Sequence, residues 1–324
     1  LDVIKQVETE ISKVNSNIAT KPNNNLLETF DPKPNYIANI KKFVDLELIN
    51  SCNLNILVDY MYGAGIGYLD NFFDNNQTSV TELHEHPNPS FPGMGQPEPI
   101  PKNLEKMQIQ LLENNYDVGI AFDGDGDRSI ICDNEGKVIT GDSSAILLCN
   151  YLLDKNPNST VITCLNSGTT IEKLVSRTDS KVIRTKVGSV EVSRRMVVEG
   201  ALVGFEENGG FMYGKHNQVR DGAMTLALVL DLLADSEKSL AENIRSLPIS
   251  YTTKDKFPCS TDDADKVISQ LLNEFPDSDT SDGIKITFDT QNWIMVRPSG
   301  TEPIIRIYAE SNNQKNLDDL MSKY

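Results

Sequence analysis

Three aspartates alternate with glycines in the segment Asp123-Gly124-Asp125-Gly126-Asp127-Arg128, directly after an apolar run from Val118 to Phe122. The run predicts a buried strand, so the aspartates are predicted to lie on the loop that follows it. Carboxylates this close repel one another unless a cation lies among them, and the glycines let the backbone curl so that all three point inward. Oxygen ligands without a neighbouring His or Cys favour Mg²⁺ over Zn²⁺. The segment therefore predicts a magnesium site.

Two other interpretations of this loop compete with a magnesium site. An EF-hand loop needs Gly at its sixth position and Glu at its twelfth, and counting from Asp123 these positions hold Arg128 and Asn134, so the calcium pattern does not match. A solvated acidic turn remains the structural alternative, because aspartate and glycine are common in turns.

A second segment has the composition of a phosphate site. Arg297-Pro298-Ser299-Gly300-Thr301-Glu302-Pro303 lies between two strand-like runs, Trp293 to Val296 and Ile304 to Tyr308. Hydroxyls, glycine-exposed backbone N–H groups and a guanidinium are the donors that a phosphate needs. Arg306, on the following strand, is a candidate second guanidinium. The alternative is a hairpin turn with a surface arginine.

A third segment suits the hydroxyls of a sugar. Gly204-Phe205-Glu206-Glu207-Asn208-Gly209-Gly210 places acid and amide side chains in a loop bracketed by glycines. Taken alone, such a loop is as often an ordinary turn.

Together the three segments resemble the α-D-phosphohexomutase superfamily, whose members move a phosphoryl group between positions 1 and 6 of a hexose. The metal loop resembles the family's D-G-D-G-D-R, the sugar loop its G-E-x-S-G in an archaeal E-E-N-G-G form, and the phosphate loop its R-x-S-G-T-E-P. Smaller similarities occur at Val58-Asp59 with Gly63-Ala64-Gly65, at Pro97-Glu98-Pro99, at Thr185 to Gly188, and at Arg220-Asp221-Gly222.

The resemblance implies a role for each motif. Asp123, Asp125 and Asp127 would hold Mg²⁺ against a serine phosphate, with Arg128 close to the same group. Glu206 and Asn208 would bind two sugar hydroxyls. The non-reacting phosphate would be anchored by Arg297, Ser299, Gly300, Thr301 and Arg306. A hexose phosphate and a hexose bisphosphate are the implied ligands.

Two departures from the family pattern leave the general acid or base unassigned. Gly210 stands where the family has a histidine at the end of the sugar loop. Ser189 follows Gly188 where some members carry histidine. The preferred hexose, among glucose, mannose and glucosamine, therefore stays open.

The family's first domain carries a phosphoserine in a loop like T-A-S-H-N-P, and no Ser-His-Asn occurs in this sequence. The chain begins at Leu1, and Leu1 to Ile18 has the apolar spacing of a helix such as the one that ends that domain. We therefore expect a fragment without the phosphoserine domain, inactive by itself.

The sequence predicts an α/β fold: two consecutive mixed α/β domains of the phosphohexomutase type, followed by a smaller α+β domain. The predicted ranges are 1–28 for a terminal helix and linker, 29–142 for the metal-binding domain, 143–249 for the sugar-binding domain and 250–324 for the phosphate-binding domain. Lys21 to Pro34 is predicted to be a linker. The strand Asn55 to Asp59 is predicted to continue through a glycine turn into a helix, and Pro248 to Lys254 is predicted to be a break before the last domain.

Composition narrows the class of protein further. The 324 residues carry a net charge of −17, which argues against a nucleic-acid partner because a basic stripe is expected there. The longest apolar stretch, Ala223 to Leu233, is too short to span a bilayer. Five widely spaced cysteines suggest a reducing compartment, so we expect a cytoplasmic enzyme; its oligomeric state stays open.

Other candidate residues compete with these assignments. Gly63, Gly65 and Gly67 mimic a dinucleotide fingerprint without its spacing. His84 and His86 could ligate a metal but more often mark a surface or substrate-proximal turn. His216 is as well explained by a surface turn as by a substrate contact. Lys186 and Arg194 could add positive charge near a phosphate, but Arg194 and Arg195 are better explained as residues that cap or solvate a helix.

Three functions stay open at this point. The first is phosphoryl transfer by a phosphohexomutase that acts on glucose, mannose or glucosamine phosphates. The second is a non-catalytic sugar-phosphate-binding module. The third is a phosphatase with Asp123 as its nucleophile.

Overall fold

The computed structural model describes residues 2–14, 27–69, 72–73, 78–299 and 302–324. The chain divides into two compact units, Leu1–Tyr36 and Ile37–Tyr324. In the first unit, helix α1 spans Asp2–Lys13 and exposes the apolar side chains of Val3, Ile4, Val7 and Ile11. The helix predicted for Leu1 to Ile18 therefore ends at Lys13, while Leu1 and residues 15–18 lie outside the described residues.

The C-terminal bound predicted for the linker is wrong. Residues 21–26 lie outside the described part, residues 27–32 have no regular structure, and Lys33 and Pro34 already belong to helix α2, Lys33–Ile40. Proline is accepted in the first turn of a helix because the N–H that it lacks has no intrahelical partner there. A 3₁₀ turn, Lys41–Phe43, and helix α3, Leu46–Ser51, complete the approach to the first sheet.

The first α/β layer is a five-stranded mixed sheet in the order β2-β1-β3-β4-β5. Strand β1 pairs in parallel with β2 and β3, whereas β3, β4 and β5 form an antiparallel meander. Leu104, Met107 and Leu111 of helix α4 pack on Leu57 and Ala121 of the sheet. The elements of this layer are β1 Asn55–Asp59, β2 Ser79–Leu83, α4 Pro101–Glu113, β3 Val118–Phe122, β4 Ser129–Asp133 and β5 Val138–Ile139.

The helix predicted after the glycine turn is wrong for the described residues between β1 and β2. The chain forms consecutive turns there, and Met61 and Tyr62 have φ values of 49° and 60°. Left-handed backbone at two successive residues is incompatible with a right-handed helix. Met61 and Tyr60 are fully buried, so packing accounts for the retention of this conformation.

The second α/β layer is a four-stranded sheet in the order β7-β6-β8-β9. Strands β7, β6 and β8 are parallel, and β8 and β9 form a tight antiparallel hairpin. Helix α8 is buried along almost its whole length, which explains its continuous apolar sequence. The elements are α5 Gly141–Lys155, β6 Thr160–Cys164, α6 Thr170–Arg177, β7 Lys181–Thr185, α7 Ser189–Glu199, β8 Val203–Phe205, β9 Phe211–Tyr213, α8 Gly222–Asp235 and α9 Leu240–Arg245.

The last layer is an antiparallel sheet in the order β10-β13-β12-β11, with two helices on one face. The break predicted for Pro248 to Lys254 is too long, because Tyr251 already pairs with Ser311 in the sheet. Ser260 caps helix α10 by accepting a hydrogen bond from the Asp263 N–H. The elements are β10 Tyr251–Pro258, α10 Thr261–Glu274, β11 Ile284–Thr287, β12 Trp293–Pro298, β13 Ile304–Ser311 and α11 Gln314–Lys323. The predicted fold class, two mixed α/β domains followed by an α+β domain, is confirmed.

The two faces of the last sheet have different surroundings. One face forms a core with α10 and α11 through residues such as Ile284, Ile294 and Ile307. On the other face, Trp293, Met295 and Tyr308 pack against Leu165 and Val187 of the second layer. Side chains two residues apart on a strand share a face. Cationic residues lie two positions further along these strands and are therefore on this second face.

Within the described residues no helix combines the length and apolar character that crossing a membrane requires. All five cysteines are free: Cys52, Cys132, Cys149, Cys164 and Cys259.

Candidate functional site

The three-aspartate loop is the tip of the β3–β4 hairpin. Phe122 pairs with Ser129, so strand pairing fixes both ends of the loop, and Gly126 bends it with a φ of 75°. Asp123, Asp125 and Asp127 each offer a carboxylate oxygen, and these oxygens all lie within 4.8 Å of one another. The loop thus collects three acidic groups in the arrangement that the sequence predicts.

Arg128 forms hydrogen bonds at the buried end of the loop. Its Nε lies 2.6 Å from Asp123 Oδ2, its backbone N donates to Asp123 Oδ1 over 3.1 Å, and its Nη2 lies 2.9 Å from Glu98 Oε1. Burial acts against the charged guanidinium, but the bond to Glu98 and the charge of Asp123 outweigh it and raise the pKa of Arg128. Both Asp123 oxygens are engaged, which fits a structural or ligand-holding carboxylate better than the nucleophile of a phosphatase.

The loop fits a hard divalent cation. Burial raises the pKa of Asp123, and the charge of Asp127 adds to the rise, so a cation among the carboxylates would relieve an existing penalty. Asp127 Oδ1 is buried and accepts no hydrogen bond within the described part of the chain. Three carboxylates without a nitrogen or sulfur ligand match the preferences of Mg²⁺.

Glycines allow other segments to approach the loop closely. A Cβ on Gly63 would lie 2.5 Å from Gly124 O, and the neighbouring Ala64 N–H donates to the same oxygen. A Cβ on Gly222, at the start of α8, would lie 2.8 Å from Gly126 O. The absence of a side chain at Gly63 therefore allows the metal loop to pack against it, which is a different role from that of a dinucleotide-binding glycine.

The sugar loop joins β8 to β9 and lies against the metal loop. The Ser129 N–H donates to Gly209 O over 3.1 Å, and the Gly210 N–H donates to Asn208 Oδ1 over 3.1 Å. Burial raises the pKa of Glu206, and the positive charge of Arg220 partly offsets that rise. Glu206 is thus a buried carboxylate held beside the metal loop, and Asn208 supports the turn that presents it.

Arg220 is the residue that sequence reasoning missed. Its Nη2 lies 2.5 Å from Asp127 Oδ2 and its Nη1 3.3 Å from Glu206 Oε2, so one guanidinium contacts both loops. The only signal in the sequence was the Arg220-Asp221-Gly222 similarity, which gave no hint of these partners. Residue 220 is far from both loops in sequence, and the fold alone brings them together.

His216 contacts Asp221, the residue that follows Arg220. Its side chain is 5% exposed, and its Nε2 lies 2.9 Å from Asp221 Oδ2 while its Nδ1 lies 2.9 Å from Asn39 Nδ2. Asp221 also caps α8 by accepting from the Met224 N–H. His216 lies in a turn between the exposed residues Lys215 and Asn217, as one of its two interpretations predicted, but its imidazole points inward from that turn.

The predicted phosphate hairpin has its arginines side by side. Arg297 pairs with Arg306 across β12 and β13, Arg297 Nε lies 2.8 Å from Asp282 Oδ1, and Arg306 Nη1 lies 3.1 Å from Ser299 Oγ. Gly300 and Thr301 lie outside the described residues. Lys256 pairs with Arg306 on the next strand, and Lys254 is two residues away on the same face. The hairpin therefore adjoins a basic face in a chain of net charge −17.

A cavity of about 440 Å³ connects the loops with this face. Its lining includes Arg128 beside the metal loop, Glu207 and Asn208 of the sugar loop, and Lys254 and Tyr308 of the last sheet. Lys254 Nζ lies 2.9 Å from Glu207 Oε2, which joins the last sheet to the sugar loop. Arg297 and Arg306 lie further along the same sheet face and are not part of this lining.

The remaining candidates lie elsewhere. His84 Nδ1 is 2.7 Å from Asp59 Oδ1, and the ring of His84 contacts that of Tyr62, whereas the His86 side chain is exposed. Lys186 is exposed after β7, Arg194 is exposed on α7, and Ser189 is the first residue of α7.

Fold and site together place the metal loop beside the sugar loop, and a cavity lined by Arg128, Asn208 and Lys254 extends from these loops to the last sheet. Family models described as phosphoglucomutase/phosphomannomutase match the chain as alpha/beta/alpha domain II over residues 34–136, alpha/beta/alpha domain III over 140–251 and the C-terminal domain over 251–323. The chain belongs to this family, within the α-D-phosphohexomutase superfamily.

Relatives and solved structures agree with this assignment. The chain is 36% identical over 295 residues to a phosphoglucosamine/phosphogalactosamine mutase of Sulfurisphaera tokodaii, which covers 89% of this chain and 64% of that protein. It is 35% identical over 291 residues to a phosphoglucomutase/phosphomannomutase of Thermococcus kodakarensis, covering 88% and 63%. A putative phosphomannomutase structure from Thermus thermophilus superposes with a TM-score of 0.76 at 25% identity, covering 91% and 65%. The chain thus spans a little under two thirds of the length of the curated relatives named here.

Proposed function

We propose that this chain forms the metal-, sugar- and phosphate-binding part of a cytoplasmic phosphohexomutase that interconverts hexose 1- and 6-phosphates through a bisphosphate. The observation that carries the proposal is the contact between the two loops. The Ser129–Gly209 hydrogen bond and the Arg220 bridge place the three-aspartate loop directly beside Glu206. A sugar hydroxyl bound at Glu206 would therefore lie close to a cation bound at Asp127.

We assign the chemistry as a balanced pair of transfers. A phosphoserine in the family's Ser-His-Asn motif, which does not occur in this sequence, would give its phosphoryl group to the free hydroxyl of a hexose monophosphate. The P–O bond to serine would break as the P–O bond to the sugar forms, and the proton lost by the sugar hydroxyl would end on the serine oxygen. The other phosphoryl group of the bisphosphate would then return to the serine. Bound Mg²⁺ would supply charge stabilisation for the transferring phosphoryl group.

The residues of this chain would bind and orient. Arg128, held by Asp123 and Glu98, would direct its positive charge at the transferring group. Glu206 would accept a hydrogen bond from a sugar hydroxyl, and Asn208 would contribute through the loop that it supports. Arg297, Ser299 and Arg306 would anchor the non-reacting phosphate on the basic face, together with Gly300 and Thr301.

Two measurements on the purified chain test this function. Calorimetry with glucose, mannose and glucosamine 1-phosphates in Mg²⁺ should detect binding of at least one sugar, and Glu206→Gln should weaken it about tenfold through the lost charged hydrogen bond. Glu237→Gln, at an exposed position after α8, is the matched control. A mutase assay with the matching bisphosphate should show no turnover without a phosphoserine.

The outcomes separate the candidate functions. Failure to bind any of the three sugars in Mg²⁺ would overturn the proposal. Binding that is unaffected by Glu206→Gln would move the sugar to another site. Turnover by the purified chain would contradict the need for a phosphoserine outside it. Mutase activity of a longer polypeptide containing this chain would favour the enzyme over a non-catalytic sugar-phosphate-binding module.

A further inference from the structure

Arg220 occupies a position from which it contacts two loops at once. Its guanidinium is paired with Asp127 at 2.5 Å and with Glu206 at 3.3 Å, and its side chain is 22% exposed. The backbone around it is fixed, because the Asp221 N–H donates to Phe211 O and the Asp221 side chain caps α8. Arg220 thus projects from a rigid junction between β9 and α8.

Gly210 provides the space for this side chain. A Cβ on Gly210 would lie 2.4 Å from Arg220 Cδ and 3.2 Å from Glu206 Oε2. The φ of Gly210 is not in the left-handed region, so the backbone by itself would accept another residue there. The reason for glycine at 210 is therefore the stem of Arg220, which fills the space that a side chain at 210 would need.

The charges around Arg220 make its two contacts interdependent. Asp127 belongs to the group of three carboxylates within 4.8 Å of one another, and Arg220 contacts its Oδ2. The other oxygen, Oδ1, is buried, lies 3.9 Å from Arg128 Nε and accepts no hydrogen bond within the described residues. A cation that binds these carboxylates would compete with Arg220 for Asp127. Glu206, 7% exposed, would keep Arg220 as its counter-charge.

We propose that Arg220 is a positioning residue that links the occupancy of the metal loop to that of the sugar loop, with Gly210 as the gap that admits it. This proposal rests on the proposed function, because it takes the ligand at Glu206 to be a hexose phosphate. Arg220 holds Asp127 while the cation is absent, and it aligns the Glu206 carboxylate for the sugar. Linkage of this kind is reciprocal between the two ligands.

Removal of the guanidinium should move the two affinities in opposite directions. Arg220→Met keeps much of the stem and removes the charge. We expect the affinity for Mn²⁺, a spectroscopic substitute for Mg²⁺, to rise about threefold, because Asp127 loses a competitor. We expect the affinity for the hexose phosphate to fall about tenfold, because Glu206 loses its orienting partner. A merely structural role would lower both.

The experiment uses the purified 324-residue chain. Mn²⁺ binding is titrated by electron paramagnetic resonance, and binding of glucosamine 1-phosphate, glucose 1-phosphate and mannose 1-phosphate is measured by calorimetry in saturating Mn²⁺. Arg220→Lys keeps the positive charge but lacks the planar guanidinium that can donate to two carboxylates at once. We therefore expect it to have the Mn²⁺ affinity of the wild type but not the sugar affinity of the wild type. Arg245→Met removes an exposed arginine that pairs with Glu135, and it should leave both affinities unchanged.

Gly210→Ala tests the gap independently of the charge. The added methyl group should displace the Arg220 stem and reproduce both changes. A double variant with Arg220→Ala, which removes the stem as well as the charge, should be no worse than Arg220→Ala alone. Additive effects of the two substitutions would show that Gly210 and Arg220 act separately. Circular dichroism confirms that each variant is folded before its affinities are compared.

Other outcomes would contradict either the role of Arg220 or the proposed function. Parallel losses of both affinities in folded Arg220→Met, or no change in either, would overturn the proposal. A wild-type chain that binds Mn²⁺ but none of the three sugars would contradict the proposed function instead. In that case the Mn²⁺ titration of Arg220→Met still tests the competition for Asp127 on its own.

Discussion

Glu310 Oε2 lies 2.5 Å from the indole Nε1 of Trp293, across the pair of strands β13 and β12. The same carboxylate, 1% exposed, accepts from the Thr169 backbone N–H at the start of α6 and from the Ser250 hydroxyl. One buried acidic group thus joins the last sheet to the second α/β layer.

The first prediction concerns this junction. Glu310→Gln replaces one acceptor oxygen with an amide NH₂, which cannot accept from the donors that surround it. We expect a loss of about 1–3 kcal/mol in the free energy of unfolding, together with faster hydrogen exchange at Thr169. Urea denaturation measures the first and exchange mass spectrometry the second. Glu274→Gln, at an exposed site on α10, is the control, and equal effects of both substitutions would contradict the role of Glu310.

The second prediction concerns pH. Burial raises the pKa of Asp142 to about 7, while its carboxylate accepts from the Gly168 N–H over 2.8 Å. Because the folded pKa lies above that of the unfolded chain, the folded state keeps a proton that the unfolded state loses. The stability that this group contributes is complete below about pH 4 and is lost as the pH rises through about 7.

Asp142→Asn should remove this dependence. Between pH 5 and pH 8 the free energy of unfolding of the wild type should fall by a few kcal/mol more than that of the variant. Urea titrations at the two pH values measure the difference. Asp154→Asn, on the exposed side of the same helix α5, should behave like the wild type. A variant that is less stable than the wild type at both pH values by the same amount would contradict the interpretation.

The third prediction concerns metal and stability. A ligand that binds only the folded state raises the midpoint of thermal unfolding, so millimolar Mg²⁺ should raise it by several degrees. Asp127→Asn should abolish the rise, because it removes one of the three clustered carboxylates. Differential scanning calorimetry with and without a chelator makes the comparison. Asp265→Asn, at an exposed site on α10, should keep the full rise, and a rise that survives in Asp127→Asn would place the cation elsewhere.

The fourth prediction concerns the basic face. Arg306→Met should weaken the binding of a hexose phosphate about tenfold, because a phosphate loses a charged hydrogen-bond donor. The remaining affinity should depend less steeply on salt concentration. Calorimetry at two ionic strengths measures both effects. Lys315→Met removes an exposed cation from α11 and should change neither. Equal affinities for Arg306→Met and the wild type would remove Arg306 from the phosphate site.

The sequence predicted those parts of the structure that depend on local pattern. The run Val118 to Phe122 is fully buried, as its continuous apolar character indicated, and the spacing of the aspartates placed three carboxylates on one loop. The strand Asn55–Asp59 has the predicted bounds. Turn glycines and strand-forming runs are local signals, so reading them requires no knowledge of the rest of the chain.

The contacts between distant segments could not be predicted in this way. Arg220 reaches Asp127 only because α8 begins against the metal loop, where Gly222 N–H donates to Gly126 O. The turns after β1 replaced a predicted helix because burial of Tyr60 and Met61 overrides local preference. Glu310 and Asp142 are acidic residues, and only the packed fold shows that Glu310 is buried and Asp142 half-buried.

The last sheet uses a single face for two purposes. Trp293, Met295 and Tyr308 hold that face against the second layer, and Arg297 and Arg306 continue it toward the cleft. The packing of this domain against the second layer and the phosphate binding that we propose for it are therefore not independent of each other. A substitution that repacks Met295 or Tyr308 would also shift the arginines next to them, so natural variation in this core would be felt as a change in ligand affinity without altering any residue that touches the ligand.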